Sequence, residues 1–352
     1  MATSETNKDT NCSSHDGAST LDFPKGSGRP SLGSDVMYQY QGFWSFAKAI
    51  QDVKNAQQNF KASDTDVVIS TLPKSGTLWL KALTFAIVNR FRYPCSPASN
   101  NYHRHPVLTV SPHDLVPFFD WRPTPADDSP PGDVTMHDSA RRLIGTHVPY
   151  PSLPESIKTI TNCKIVYMCR NPRDNLISAW QFANKRRAAL PPSNDNLPPL
   201  SLEEAFELFC DGISIFGPFW DHVLGYWKES LEKPHKVLFM KYEDLKNEPN
   251  THLKRLAEFM GCGFTSEEER QGVIEDISRL CSFETMTSLE MNKTGSWKNH
   301  IENKIFFRKG ENDDWKNYLT PEMINRLDYL MEEKLQGSGL VFRYNHPPSV
   351  AN

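Results

Sequence analysis

The chain has 352 residues, with 39 Lys and Arg against 43 Asp and Glu, a formal net charge of −4 with His neutral, and 38% apolar residues. That balance excludes a general polyanion binder but leaves room for a local basic pocket. The apolar share suffices for a sizeable core. No apolar run approaches the ~20 residues that span a bilayer, since the longest, 78–88, is interrupted by Lys81 and Thr84. The 7 cysteines include no Cys-x-x-Cys pair, so neither a disulfide framework nor a zinc site is expected. The N-terminus lacks the apolar stretch of a signal peptide, and Glu5, Asp9 and Asp16 argue against a transit peptide. A cytosolic protein with reduced thiols is expected.

Residues 1–35, rich in Ser, Thr, Asp and Gly without periodicity, predict a disordered tail. Order is expected to begin near Tyr38, at an aromatic cluster, followed by a helix over 52–60. The β-branched run 66–71 predicts a buried strand. A loop from Leu72 then opens a helix over 78–90, whose Leu80, Leu83, Ala86 and Ile87 share one face. Residues 94–140 read as irregular, with a break at Pro130-Pro131-Gly132. Strands are predicted over 142–146 and 164–169. Asn171-Pro172 closes the second of these ahead of a helix over 173–184. The Pro-rich stretch 185–200 reads as a functional or disordered loop. There follow a helix over 202–227, kinked at Gly217-Pro218, a fourth strand over 235–240, and helices over 250–260 and 266–280. The last helix, 321–335, is capped by Thr320 and ended by Gly337.

Strands that alternate with helices predict one α/β domain over 36–346, with a central parallel sheet flanked by helices and a short tail at 347–352. Such sheets bind ligands at the carboxyl ends of their strands. Chemistry-bearing residues fall at those ends. In Pro73-Lys74-Ser75-Gly76-Thr77, between strand and helix, Gly76 permits a tight turn, the helix start favours an anion and Lys74 adds charge. This strand–loop–helix suits a phosphate, but it is not the Gly-x-x-x-x-Gly-Lys-Ser/Thr loop of nucleotide triphosphatases. A second candidate phosphate clamp is Arg170 at the end of the third strand, with Ser178 in the following helix. A third is Phe306-Phe307-Arg308-Lys309-Gly310. Taken singly, the first is equally compatible with a plain βα turn carrying an exposed lysine, while the second reads rather as a surface Arg paired to Asp174 and the third as a solvated basic turn.

Taken together, the three segments resemble the cytosolic sulfotransferases, and most of all their plant branch. The matching stretches are 73–77 with Trp79-Leu-Lys-Ala-Leu83, then Arg170-Asn-Pro172, and Arg308-Lys-Gly310 with Asp314-Trp315. Tyr242-Glu-Asp-Leu245, Leu280-Cys-Ser-Phe-Glu284 and Thr146-His-Val-Pro-Tyr150 fit as well. The likeness covers about residues 38–345. It implies transfer of a sulfuryl group from 3′-phosphoadenylyl sulfate to a hydroxyl or amine, without a metal. It implies that Lys74, Ser75, Gly76, Thr77, Leu78 and Trp79 cradle the 5′-phosphosulfate, with Trp79 stacking on adenine. Arg170, Ser178, Arg308, Lys309 and Gly310 are then expected at the 3′-phosphate, with Tyr242, Cys281, Phe283, Met286 and Phe307 on the adenine side. His147 aligns with the family's general base, and an imidazole of near-neutral pKa is suited to that work. Lys74 is expected to neutralise charge on the leaving phosphate.

Two departures from the family pattern stand out. Animal members carry a lysine two residues before the catalytic His, where this chain has Gly145. The animal dimer motif maps onto Lys316, Thr320, Pro321 and Asn325, losing its Val and Glu, so a monomer is expected. The expected acceptor is a hydroxylated small metabolite: a flavonoid, another phenolic, a steroid-like or hormone-like alcohol, or a thiohydroximate. Candidates for its pocket are Phe43, Trp44, Tyr93, His113, Phe118, Phe119, Tyr150 and Phe182, with 185–200 as a lid. Neither nucleic acid nor membrane is expected as a partner. The alternatives are a nucleotide kinase, for which the Gly-rich loop and magnesium carboxylates are missing, and a catalytically silent nucleotide-binding module.

Overall fold

A computed structural model describes residues 31–32, 35–120, 141–189, 198–297 and 301–342. Its N-terminal part is a small antiparallel sheet of β1 (Ser31–Leu32), β2 (Asp35–Tyr40) and β3 (Phe43–Phe46), turned at Gln41 and Gly42. The centre is a parallel four-stranded sheet of β4 (Val67–Thr71), β5 (Leu143–Thr146), β6 (Lys164–Cys169) and β7 (Val237–Lys241), in the order β5-β4-β6-β7. Every residue of β4 is buried, as expected of a strand covered on both faces. Side chains alternate between two cores: Val68, Ile165 and Tyr167 enter one, and Val67, Ile69, Val166 and Met168 the other. A single parallel α/β domain is thus present, as the alternation of patterns predicted.

The helices Thr77–Asn89 and Pro172–Ala188 leave the carboxyl ends of β4 and β6 and cover opposite faces. The closing helix Pro321–Leu335 has Thr320 as its cap, accepting from the Met323 N–H, with Pro321 in the first turn. A two-stranded ribbon of β8 (Ser296–Trp297) and β9 (Ile301–Glu302) lies near the far end of the site. The six cysteines among the described residues are not bonded to one another.

Several boundaries differ from the sequence reading. The first helix is Ala47–Asn59, beginning well before 52. Ordered chain begins before Tyr38, because β1 and the start of β2 are held by main-chain pairing, which needs no apolar periodicity. The long helix expected over 202–227 is two helices, Leu202–Cys210 and Phe219–Glu232. Between them Gly212 and Phe216 take positive φ, and Pro218 lacks the N–H needed to continue the ladder. The helix expected over 266–280 is likewise split, at Gly272, where φ is +74°. Residues 185–188, read as loop, complete the helix Pro172–Ala188. The calls on 1–30, 130–132, 190–197 and 347–352 lie outside the described residues.

Candidate active site

Four strand ends deliver the site: Thr71 leads into the 72–76 loop, Thr146 into His147, Cys169 into Arg170 and Lys241 into Tyr242. They border a cavity of about 390 Å³. In the loop, Lys74 has φ +69° and Gly76 φ +94°. A left-handed non-glycine residue is uncommon, and such backbone concentrates at functional sites. Gly76 is required twice over, since a Cβ there would stand 2.7 Å from the Tyr242 ring and 2.9 Å from Met168. The Asn175 amide clips the loop from behind, donating to the Pro73 carbonyl at 2.9 Å and to Ser75 Oγ at 3.1 Å. The helix Thr77–Asn89 starts with no capping side chain. Gly76, Thr77, Leu78 and Trp79 line the cavity, so the unsatisfied N–H groups of the first turn make an anion seat.

Lys74, Arg170 and Arg308 border the same space, and Arg186 and Lys246 also line it. Burial, followed by repulsion from Arg170, Lys185 and Arg308, lowers the Lys74 ammonium to about 7. Like charges held this close, beside a helix start, are an arrangement that an anion stabilises. Donor atoms remain for it: Arg170 Nε and Arg308 Nε and Nη2 are buried without a hydrogen-bond partner. The other arms are fixed by protein. Arg170 Nη2 donates to the Glu311 carbonyl at 2.5 Å, Arg308 pairs with Asp314, and Lys309 reaches Asp314 at 2.7 Å. Ser178 also faces the cavity.

Beyond the cations lie Trp79 and Tyr242, ring centroids 5.3 Å apart and nearly edge to face, with Cys281, Phe283, Met286 and Phe307. Gly310 has φ +66°, and a Cβ on it would meet the Phe283 ring at 2.5 Å. Close approach of the Arg308–Gly310 turn to Phe283 is thus possible only without a side chain.

His147 closes the opposite end. Its Nδ1 lies 2.7 Å from the Thr71 carbonyl, which can only accept, so Nδ1 carries the proton and Nε2 is a lone-pair acceptor. The backbone around the ring is fixed as well. Asp120 accepts from the His147 N–H at 3.3 Å and from the Thr146 hydroxyl at 3.0 Å. Tyr167 OH donates to His222 Nδ1 at 2.9 Å, and His222 Nε2–H donates to the His147 carbonyl at 3.0 Å. Burial above all, then Lys81, His222 and Lys74, pushes the His147 imidazole down to about 3, well below the near-neutral value expected from sequence, so the ring is neutral at physiological pH and a weaker base than expected.

Of the aromatic residues expected around an acceptor, His113, Phe118 and Phe182 line this end, and Lys74 Nζ sits 4.2 Å from the Phe182 ring centroid. The others do not. Phe43 is core, stacked at 5.5 Å behind Phe216. Phe119 packs on Phe60 at 5.0 Å, Tyr150 on Tyr226 at 5.6 Å, and Tyr93 beside Phe85 and His105. Trp44 acts through its backbone, exchanging bonds with Phe216 and Gly217. On the nucleotide side, Ser75 is buried behind the loop and Lys309 stands outside the cavity on Asp314. Sequence reasoning missed Phe46, Phe216 and Trp297, which border the cavity, and the supports Thr71, Asp120, Tyr167 and His222. Phe306, read only as part of a basic run, lines the acceptor end.

Residues 64–339 match the family model described as the sulfotransferase domain. The chain is 50% identical over 319 residues to cytosolic sulfotransferase 6 of Arabidopsis thaliana, covering 90% of this chain and 92% of the relative. It is 44% identical to a flavonol 4′-sulfotransferase of Flaveria chlorifolia, over 88% of this chain and 92% of that one. A crystal structure of an Arabidopsis thaliana sulphotransferase matches with a TM-score of 0.67 at 38% identity, covering 91% of this chain and 93% of that one. A mouse sulfotransferase complexed with PAP matches with a TM-score of 0.59 at 25% identity, covering 88% and 95%. The chain therefore belongs to the sulfotransferase family, among its plant cytosolic members.

Proposed function

We propose that this protein transfers the sulfuryl group of 3′-phosphoadenylyl sulfate to a hydroxyl of a small metabolite, with His147 as general base. The observation that carries the reading is the meeting of two ends in one cavity: Lys74 and the bare helix start on one side, and the His147 ring on the other. The Nδ1–H of His147 is spent on Thr71, which aims its basic nitrogen elsewhere. The orphaned guanidinium donors of Arg170 and Arg308 fit a dianionic phosphate.

In this reading the first turn of Thr77–Asn89 and Lys74 hold the phosphosulfate end. Arg170, Ser178 and Arg308 hold the second phosphate. His147 Nε2 takes the acceptor proton as the acceptor oxygen bonds to sulfur and the sulfur–oxygen bond to the leaving phosphate breaks. Lys74 stabilises the charge that collects on that phosphate. The protein supplies positioning and electrostatics, much as in phosphoryl transfer.

The acceptor end favours a flat aromatic alcohol, because Phe118, Phe182, Phe216, Trp297 and Phe306 all line the cavity. The flavonol 4′-sulfotransferase among the relatives supports phenols as a first class to test. The same reading takes the protein as a cytosolic monomer, on the names of its relatives and on Pro321 and Asn325 at the dimer-motif positions. The test is incubation with ³⁵S-labelled donor and a panel of a flavonol, a simple phenol, a hydroxysteroid and a thiohydroximate. Labelled product with at least one of them is expected. Nucleotide binding with no transfer to any would favour a silent binding module.

A further inference from the structure

Lys81 is an anomaly of the fold. It sits one turn into a largely apolar helix and is fully buried, which lysine almost never is without a built environment. Its ammonium lies 3.2 Å from the centroid of the Phe118 ring and 3.3 Å from His113 Nδ1. It fits there because of Gly145. A Cβ on residue 145 would fall 2.5 Å from Lys81 Nζ and 3.3 Å from Phe118 Cδ1. The segment carrying Phe118 is stitched to the same glycine, with Gly145 N–H donating to the Pro117 carbonyl at 2.7 Å and Phe119 N–H to the Gly145 carbonyl at 3.2 Å. On its other side Phe118 meets the His147 ring, centroids 4.9 Å apart.

We propose that Lys81 is the positioning residue of the acceptor end: its ammonium, in the space left by Gly145, pins Phe118 against His147 and fixes the tautomer of His113. This rests on the reading of His147 as general base. A protonated lysine can only donate, so His113 Nδ1 accepts and the proton sits on Nε2. The ring that borders the cavity is then a neutral N–H donor of defined orientation, packed between Phe118, Trp297 and Phe306. A hydroxylated acceptor lying against Phe118 is held by that wall with its oxygen toward His147. Lys81 sits one turn into the helix whose first turn seats the anion, so one rigid element sets the distance between donor and acceptor ends.

The charge of Lys81 also acts on His147, adding to burial in holding the imidazole neutral. The other groups facing His147 are Lys74 from the loop, His222 from Phe219–Glu232, Asp120 beside β5, and His113 across Phe118. Making Lys81 neutral leaves Lys74 and His222 in place, but removes the charge that helps hold the Asp120 carboxyl down and the contact to His113.

Lys81→Met keeps length and removes the charge, Lys81→Arg keeps the charge, and Gly145→Ala displaces the ammonium while leaving residue 81 a lysine. Each is read by ¹⁵N NMR of ¹⁵N-histidine-labelled protein, by calorimetry with adenosine 3′,5′-bisphosphate, and by kinetics with the best phenol of the panel. Lys81→Met should lose the Nε2–H signature of His113 and raise the titration of His147. It should also cut kcat/KM for the acceptor at least about tenfold, since misplacement near reacting atoms costs up to roughly 10²-fold. Nucleotide affinity should stay within about twofold. Gly145→Ala should share the kinetic defect, and Lys81→Arg should restore part of it. Wild-type histidine spectra and acceptor kinetics in both Lys81→Met and Gly145→Ala would overturn the proposal. So would an equal loss of nucleotide affinity, which marks a merely structural lysine. If Lys81→Met does not fold, Gly145→Ala decides alone. His147→Ala run in parallel separates the two readings: full turnover there rejects the general base whatever Lys81 does.

Discussion

The imidazole Nδ1 of His147 and the main-chain carbonyl of Thr71 lie 2.7 Å apart, joining the ends of neighbouring strands β5 and β4. The Thr71 hydroxyl also shares a hydrogen bond of 2.6 Å with that of Thr77, in the first turn of the helix Thr77–Asn89. The His147 ring and the helix start are thus both fixed to Thr71, and their separation is a property of the sheet rather than of a mobile loop.

Arg170→Ala should weaken binding of adenosine 3′,5′-bisphosphate by roughly 1.5–3 kcal/mol, the scale of a hydrogen bond to a charged group. Calorimetry checks this, with a 1:1 complex expected for the wild type. An unchanged affinity removes Arg170 from the phosphate site.

Gly76→Ala should lower nucleotide affinity by about tenfold or more while leaving a folded protein. The left-handed φ costs a side chain about 1–2 kcal/mol, and its Cβ must push the Tyr242 ring away from 2.7 Å. Gly310→Ala, pressing on Phe283, should act in the same direction. Circular dichroism with calorimetry distinguishes lost binding from lost fold.

Binding should take up a proton between about pH 7 and 9. The Lys74 ammonium is lowered to about 7 by burial and neighbouring cations, and a bound anion favours its charged form. Below pH 7 the lysine is protonated with or without nucleotide, so affinity is flat. Above it, affinity falls as pH rises. Titrations in buffers of different ionisation enthalpy measure the uptake, which Lys74→Met should abolish.

The protein should elute as a monomer. Pro321 and Thr320 serve the start of the last helix, with the Thr320 hydroxyl accepting from Met323 N–H. Light scattering at micromolar concentration giving twice the chain mass contradicts this.

The sheet was readable from sequence because its signals are local. Short β-branched runs closed by turn residues mark β4 and β6 to within a residue. Gly76 and Gly310 were readable because turns of positive φ favour glycine, whereas Lys74 and Arg170 stood out only through the resemblance of the three segments together. The acceptor wall was not, because a phenylalanine reads alike in core and cavity. Phe118 and Phe119 are adjacent in extended chain and point to opposite sides, one to the cavity and one to the core. Lys81 was passed over as an interruption of an apolar run, since nothing in its own stretch shows that Gly145 leaves room for it.

The most direct measurement is transfer of ³⁵S from labelled 3′-phosphoadenylyl sulfate to the best panel acceptor by wild-type protein and by His147→Ala, with nucleotide affinity measured on both. Proton abstraction by a placed side chain is worth roughly 10²–10⁴-fold. His147→Ala should therefore lose at least about a hundredfold in kcat and keep its affinity for adenosine 3′,5′-bisphosphate. Near wild-type turnover in His147→Ala would contradict the assignment of the base.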